Sequence, residues 1–498
     1  MSYATLEQTF YRLSQLSHAE SMLGWDQRVM MPPKGNAARS RALAELGVFR
    51  TEILQDPSLA AQFEAAHSES GLTPWQTANL RQMERQWRQT LAVPKALVEA
   101  LSLAGSECEH SWRQLRSDNN WKDFAPKLQP VFDLVREEAQ ALNAALGDEL
   151  GFANDYDALI HKFDPGTRSA RIDPVFAQLK AALPDLLATI VERQKHRARP
   201  NTPKAAIPIA HQDALARDLM AILGFDFNAG RLDQTAHPFS GGVPEDSRIT
   251  TRYDENNVVE GLMGVIHETG HSRYETGLPQ DWLDQPVGRS MGMGVHESQS
   301  LFFEMQLGRS RPFLEAIAPR VQQHLGQDRA FNADNLHQLY TWVEPGKIRV
   351  NADEVTYPMH VILRYELERD LILGHAQVAD IPERWNDAMM NLLGVDTRGD
   401  YRNGPMQDIH WTAGAVGYFP SYTLGALNAA QLHQAMVKAI PDAADRVARL
   451  DLEPIFDWLS QNVWQKGSLL DYDDLMVEAT GETLNPEHFL RHVRERYC

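Results

Sequence analysis

Cysteine is almost absent from this chain of 498 residues: Cys108 and Cys498 are the only two. No disulfide framework holds the fold, and a metal site built from cysteine has too few ligands. A metal, if bound, has to draw on the 18 histidines. Positive charge is also scarce. Lys and Arg number 48 against 67 Asp and Glu, a formal charge of −19, which argues against a phosphate-backbone binder with its clustered cations. No uninterrupted run of 18 apolar residues occurs, so no bilayer-spanning helix is expected. The stretch from Met1 to Trp25 intersperses Glu7, Arg12, His18 and Glu20 among its apolar residues and lacks a signal-peptide core. Repeats, low-complexity tracts and long Ser/Gly linkers are missing too. The expectation is an acidic cytoplasmic protein that binds neither nucleic acid nor membrane.

What is present suits a mainly α-helical body. With 43% hydrophobic and 23% charged residues the chain can bury a large core. Thr73 and Pro74 mark a helix start, followed by Leu80, Met83, Trp87 and Leu91 at helical spacing before Pro94. The pattern predicts a second helix from Pro130 to a stop at Gly147, and a third from Asp173 and Pro174 that kinks or breaks at Pro184. A fourth runs through Leu215, Leu219 and Ile222 to Gly224. Each apolar stripe is read as a core-facing side. Between His237 and Asn257, glycines and prolines precede the β-branched run Ile249, Thr250, Thr251, which predicts a loop and a short ribbon. Gly346 to Tyr357 reads as non-helical. Ala198 to Pro208, with three prolines, is the candidate hinge.

The sharpest feature is His267-Glu268-Thr269-Gly270-His271, an H-E-x-x-H pentapeptide. Val258, Leu262, Val265 and Ile266 lead into it at helical spacing. Both histidines therefore share one helical face and can reach a single ion about 2.0 to 2.1 Å away. Glu268 then stands beside the ion without ligating it. The competing reading is a chance match of surface histidines, which a random chain seldom produces. Gly270 gives up about 1 kcal/mol of helix propensity relative to Ala, which predicts tight packing or the close approach of another backbone or a substrate. A catalytic zinc usually takes a third protein ligand. Glu297 in His296-Glu297-Ser298-Gln299 is the candidate, on a helix supported by Leu301, Phe302 and Met305. Spacing alone does not separate it from Glu260, Glu275 or Glu304, or from a solvated helix face.

Several segments together resemble one family, the M32 metallocarboxypeptidases of the thermostable carboxypeptidase 1 type. They are His237-Pro238-Phe239, Asp246-Ser247-Arg248-Ile249-Thr250, the pentapeptide and His296-Glu297-Ser298-Gln299. Further on come Ile348-Arg349-Val350-Asn351-Ala352-Asp353, the stretch from Gly404 to Trp411, and Gly417-Tyr418-Phe419-Pro420. The matches span about residues 237–425, with looser ones at Gly24-Trp25-Asp26 and Met31-Pro32-Pro33. The resemblance implies a zincin-type, almost wholly α-helical peptidase with a deep groove, one metal on its floor and a small β ribbon beside it. It further implies a homodimer and zinc, with Co2+ as a substitute. The implied activity removes single residues from peptide C-termini with broad specificity, sparing C-terminal Pro.

The residues support that chemistry. Neutral His267 and His271 with ionised Glu297 are expected to hold the zinc, and Glu268 to relay a proton from the attacking water to the leaving amine. A substrate's free C-terminal carboxylate suits a guanidinium with two parallel hydrogen bonds. Arg349 is the candidate, against an ordinary salt bridge to Asp353 or Glu354. His410, with Tyr418 and Tyr422 nearby, can donate to the developing oxyanion, Tyr418 being placed with the catalytic groups and Tyr422 with the substrate-binding ones. The alternative for His410 is a structural pair with Asp408. Arg248 and Thr250 are read as structural, on a ribbon whose backbone can pair with an extended peptide. Residues from His237 past Tyr418 must converge on one metal, so one body over 1–498, with its motif-bearing half at about 237–425, is expected instead of three units. The rival enzyme is a helical zinc oligopeptidase or peptidyl-dipeptidase. A zinc-stabilised peptide-binding protein without turnover is the other class, and Glu268 argues against it.

Overall fold

The computed structural model describes residues 2–235 and 238–498, so His237 of the first family segment lies outside the described residues. Helices dominate. Pro74–Ala92 starts as its sequence predicts: the Gln76 amide donates to Thr73 Oγ1 at 3.3 Å while the Thr73 amide donates to Gln76 Oε1 at 2.9 Å, a reciprocal cap. Two proline expectations fail. The helix expected from Pro130 begins at Trp121, capped by Asn120, and runs through Pro126 and Pro130 to Leu150. The helix Ser169–Gln194 passes through Pro174 and Pro184 without a break. In both, apolar residues on either side of each proline are buried, and that burial outweighs the roughly 3 kcal/mol an internal proline costs. Gly147 is not a stop either. The chain leaves the helix at Gly151, whose φ of 63° lies in the left-handed region, and the Phe152 amide donates to Gly147 O at 2.9 Å.

Ser169–Gln194 reaches a mean hydropathy of 1.3 over 18 residues, enough by length and composition to cross a membrane. Lys180 and Asp185 interrupt it, however, and Leu179, Leu183, Leu187 and Ile190 belong to the main hydrophobic core. That core extends from Cys108 to Val493. A second, smaller cluster joins Tyr3, Leu6, Phe10 and Leu13 to Leu59, Phe63, Leu80 and Met83. Residues 198–208 are non-helical, and are tied down by the Asn201 amide on Asn335 Oδ1 (2.7 Å) and the Ile207 amide on Glu255 O (2.8 Å).

The predicted ribbon is the third strand of a small sheet: β1 (Gly230–Gln234), β2 (Phe239–Val243) and β3 (Asp246–Thr251), in the order β1-β3-β2. β3 is parallel to β1 and antiparallel to β2. Polar, exposed β1 carries little alternation, which hid it in the sequence. Arg231 and Arg248 face each other across the β1-β3 register, each paired with an aspartate, and both lie over the Trp25 ring at 5.4 and 4.6 Å. This holds the first helix, Ser2–Val29, onto the sheet. On the other side, Ser247 and Ser272 share a buried 2.6 Å hydrogen bond, which joins β3 to the pentapeptide helix Val258–Thr276.

Two glycines set how closely the central helices meet. A Cβ on Gly270 would lie 2.7 Å from both Gln299 O and Ser300 Cα, so the pentapeptide helix touches the helix Met293–Leu301 backbone to backbone. A Cβ on Gly425 would lie 2.7 Å from Glu297 Cβ and Cγ, which brings the helix Pro420–Ala439 closely against the same element. Close approach of another backbone, one of the reasons read from Gly270, is the one the structure supports. Gly270→Ala should therefore lower the melting temperature by several degrees, although Ala is favoured by about 1 kcal/mol in a free helix. A melting temperature equal to or above that of the parent protein would contradict this packing account.

Candidate active site

His267 and His271 lie one turn apart on their helix, with ring centroids 4.9 Å from each other. Glu297 reaches them from the helix Met293–Leu301, and one ligand atom from each of the three lies within 4.8 Å of the others. His271 Nε2 is 3.5 Å from Glu297 Oε2. Two donors bound tetrahedrally to one zinc-sized ion stand about 3.4 Å apart, so this separation has room for a cation between them. Burial raises the Glu297 carboxyl, but His271, His267 and His296 draw it below its ordinary value. The three donors, two neutral-capable imidazoles and a carboxylate, fit a divalent metal.

The structure sorts the four glutamates that spacing could not. Glu275 pairs with His296 Nε2 at 2.9 Å, and the His296 ring stacks on His271 at 4.5 Å. Glu260 is on the exterior with Arg252 and Asn257. Glu304 sits behind the site, where its Oε2 is 2.9 Å from His267 Nδ1, leaving Nε2 of that ring for an ion. Burial opposes the charge on His267, yet Glu304, Glu297 and Glu268 lift its imidazole to about 9. For His271, burial and then the charges of His296 and His267 prevail and hold it at about 4.

Glu304 reaches His267 because residues Phe302–Gly308 form a π-helix, in which the Arg309 amide donates to Glu304 O at 3.0 Å. Side chains five apart diverge on an α-helix but meet across a π turn, so Arg309 grips the Glu304 carboxylate. Against burial, Arg309 and His267 hold Glu304 at about 2. The pair had no legible signal, since a π turn leaves no periodicity to read.

Glu268 is buried beside the donor cluster and supplies none of its ligand atoms. Burial raises its carboxyl to about 7, opposed by His267 and reinforced by Glu297, with a lowering contribution from the Ser240 amide of β2. A bound cation would pull it down. Strand β2 pairs only with β3, so its outer edge runs past Glu268 without a strand partner among the described residues.

Arg349 is buried and salt-bridged, but to neither acid considered from the sequence. Its Nε and Nη2 both donate to Asp408 Oδ1, at 3.1 and 3.0 Å. Fully buried Arg364 donates from Nε to the other oxygen at 2.7 Å. Burial raises Asp408, but Arg364 and Arg349 hold it well below the usual carboxylate range. Asp353 instead accepts backbone amides from Glu344, Val355 and Thr356, and Glu354 binds His492, Arg496 and Tyr497 near the C-terminus. Arg349 lies over the Tyr422 ring at 4.6 Å. His410 Nε2 is 3.0 Å from Tyr422 Oη, whereas its Nδ1 is 4.0 Å from Asp408 and has no hydrogen bond among the described residues. Burial, then Arg349, lowers His410 to about 4, so it is neutral at pH 7. Tyr418 packs edge-on to Tyr422 with centroids 5.1 Å apart. Behind burial, Glu297 is among the charges that raise the phenols of Tyr418, Tyr422 and Tyr357, which groups all three around that carboxylate. Tyr357 was missed because it opens a helix whose residues are buried on all sides.

One further residue escaped the sequence reading. Asp164 Oδ1 accepts the Gly294 amide at 2.6 Å and its other oxygen accepts from Ser421. It thereby fixes the starts of the helices that carry Glu297 and Tyr422.

Glu304→Gln should leave the fold intact and weaken divalent metal binding by about 10- to 100-fold, read by competition with a chelating dye. Unchanged affinity would show that the Glu304 contact does not tune His267.

The family model for carboxypeptidase Taq (M32) metallopeptidases matches residues 5–497. Thermostable carboxypeptidase 1 of Thermus thermophilus is 36% identical over 507 residues, covering 100% of this chain and 98% of the relative. The solved structure of Trypanosoma cruzi metallocarboxypeptidase 1 superposes with a TM-score of 0.97 at 40% identity, covering 100% of this chain and 99% of that one. PZ peptidase A, at 12% identity and a TM-score of 0.56 over 99% of this chain and 95% of that one, shares the fold alone. The chain belongs to the M32 family of metallocarboxypeptidases along nearly its whole length.

Proposed function

We propose that this M32 metallopeptidase trims single residues from peptide C-termini using zinc held by His267, His271 and Glu297, with Glu268 as general base. The observation that carries this reading is the three-donor cluster with a buried, non-ligating carboxylate next to it. A divalent cation there, when bound, supplies Lewis acidity toward the scissile carbonyl and lowers the pKa of water. Glu268 takes the proton of the attacking water and passes it to the leaving amine. Its burial leaves it few competing partners, so either protonation state is within reach during the cycle.

Arg349 binds the terminal carboxylate. Asp408 occupies the Nε and Nη2 side of the guanidinium, so the Nη1 and Nη2 end is left for two parallel hydrogen bonds. Charge supports this: Arg349 and Arg364 share one aspartate, and His410 is neutral, which leaves one positive charge for a substrate carboxylate to neutralise. His410, linked to Tyr422 and stacked on Tyr418, orients the phenol donors toward the oxyanion. Zinc as the metal, Co2+ as its substitute and a homodimer belong to the same proposal and rest on the family resemblance; a cytoplasmic location is proposed with them from the composition of the stretch Met1 to Trp25.

Glu268→Gln should keep its metal and lose nearly all turnover; substantial residual hydrolysis in a metal-loaded sample would remove it from the base role. Arg349→Lys should depress hydrolysis of free-carboxylate peptides far more than that of C-terminal amides, and equal losses on the two would refute the anchor. Mass spectra of the products separate carboxypeptidase from oligopeptidase, since paired or internal cuts point to the latter.

A further inference from the structure

Three arginines around the junction of the helices Pro74–Ala92, Asp155–Phe163 and Ser169–Gln194 have no salt-bridge partner among the described residues. Arg85 donates from Nε to the neutral Gln82 Oε1 at 3.0 Å, and neither Arg168 nor Arg289 has a side-chain hydrogen bond among the described residues. Acids are not in short supply in a chain of net charge −19. The cations at the border of this group do find them: Arg50 with Glu20, Arg88 with Glu149 and Lys162 with Glu138.

Bonds across the chain hold Arg85 and Arg289 in one neighbourhood. Gln82, which bonds Arg85, also donates to Ser468 O at 3.1 Å, and Ser468 Oγ donates to Arg289 O at 3.1 Å. Burial, then Arg81 and Arg289, pushes the Arg85 guanidinium down to about 10. His161 adds a further donor. The Gly166 amide donates to its Nδ1 at 3.1 Å, so in the neutral ring the proton is on Nε2. His161 is only 4% exposed, and its Nε2 is buried without a partner. Burial, followed by the charges of Arg85 and Arg168, holds this ring at about 4.

The arginines are half-buried and His161 is buried; all four offer N–H and none has a free acceptor, so an anion reaching them finds donors only. The end of the helix Trp121–Leu150 offsets Arg168 in part, since a Cβ on Gly151 would stand 3.4 Å from its Nη1. It does not account for Arg85, Arg289 or the His161 N–H. The helix that carries His161 reaches the active site with its other side: Phe163, two residues on, packs edge-on to Tyr418 at 5.2 Å. Arg289 links the set to the metal-ligand cluster, since the charge of Glu275 bears on it and Glu275 pairs with His296, whose ring stacks on His271.

We propose that Arg85, Arg168, Arg289 and the His161 Nε2–H form an anion subsite that takes the side-chain carboxylate of an acidic residue within the peptide substrate. This rests on the carboxypeptidase reading and adds a preference that the Arg349 anchor does not supply.

The test uses the metal-loaded full chain and a series of hexapeptides with one C-terminal pair and a single Glu, Gln or Lys moved through the four upstream positions. At one position kcat/KM should favour Glu over Gln by about tenfold or more, mainly through KM, with Lys poorest. The ratio should shrink as salt rises from about 50 to 500 mM. Arg289→Gln and Arg85→Gln should each bring it to within about twofold of unity, and Arg289→Lys should restore part of it. The salt and peptide arms use the unmodified protein, so they decide the matter even where a variant fails to fold. Hydrolysis with no Glu preference at any position overturns the subsite and leaves the carboxypeptidase reading standing. A Glu preference that survives both Gln variants overturns it as well, whereas failure to trim any peptide counts against the broader reading.

Discussion

The backbone contact between Gly270 and the Gln299–Ser300 segment is the constraint on which the site depends. Two histidines on one helix need a third group from another element, and a carboxylate on a side chain as short as Glu297 reaches them only if the two helices nearly touch. Any side chain at 270 pushes the helices apart. Gly425 repeats the device where the helix Pro420–Ala439 closes on Glu297 itself. The metal cluster and the tyrosine wall are therefore set by the same tight layer of three helices, which explains why a poor helix former stands in the middle of the motif.

Around that layer, charge is arranged in shared pairs. Glu304 lies between His267 and Arg309, and Asp408 between Arg349 and Arg364. The first arrangement fixes an imidazole and leaves its other nitrogen free. The second fixes a guanidinium and leaves one of its edges free. In each case a buried charge that would be costly alone is held by a partner on one side and remains available on the other. The arginine group near His161 lacks this internal balance, and that difference is what marks it as a place for an external anion.

Much was legible in the sequence. The helix at Thr73–Pro74, the metal-binding pentapeptide and the short strand at Ile249–Thr251 each follow from local chemistry, because caps, four-residue spacing and β-branched runs act over a few bonds. What failed was equally local in form. Pro130 was read as a helix start and Pro184 as a kink or break because local cost is all that a sequence window shows, while the compensating burial comes from residues far away in the chain. The π turn at Phe302–Gly308 and the strand β1 have no periodic signature of their own and exist because neighbours hold them.

By itself, then, the sequence determined the ligand types and the helical class, and marked Gly270 as a place of tight packing or close approach, since these rest on spacing and side-chain chemistry. Only the tertiary structure decided that Glu297, among four nearby glutamates, reaches the histidines, that Glu304 supports one of them from behind, and that Arg349 answers to Asp408 and not to its neighbours Asp353 or Glu354. Those choices depend on which surfaces of distant elements face each other, and chain folding over tens to hundreds of residues sets that.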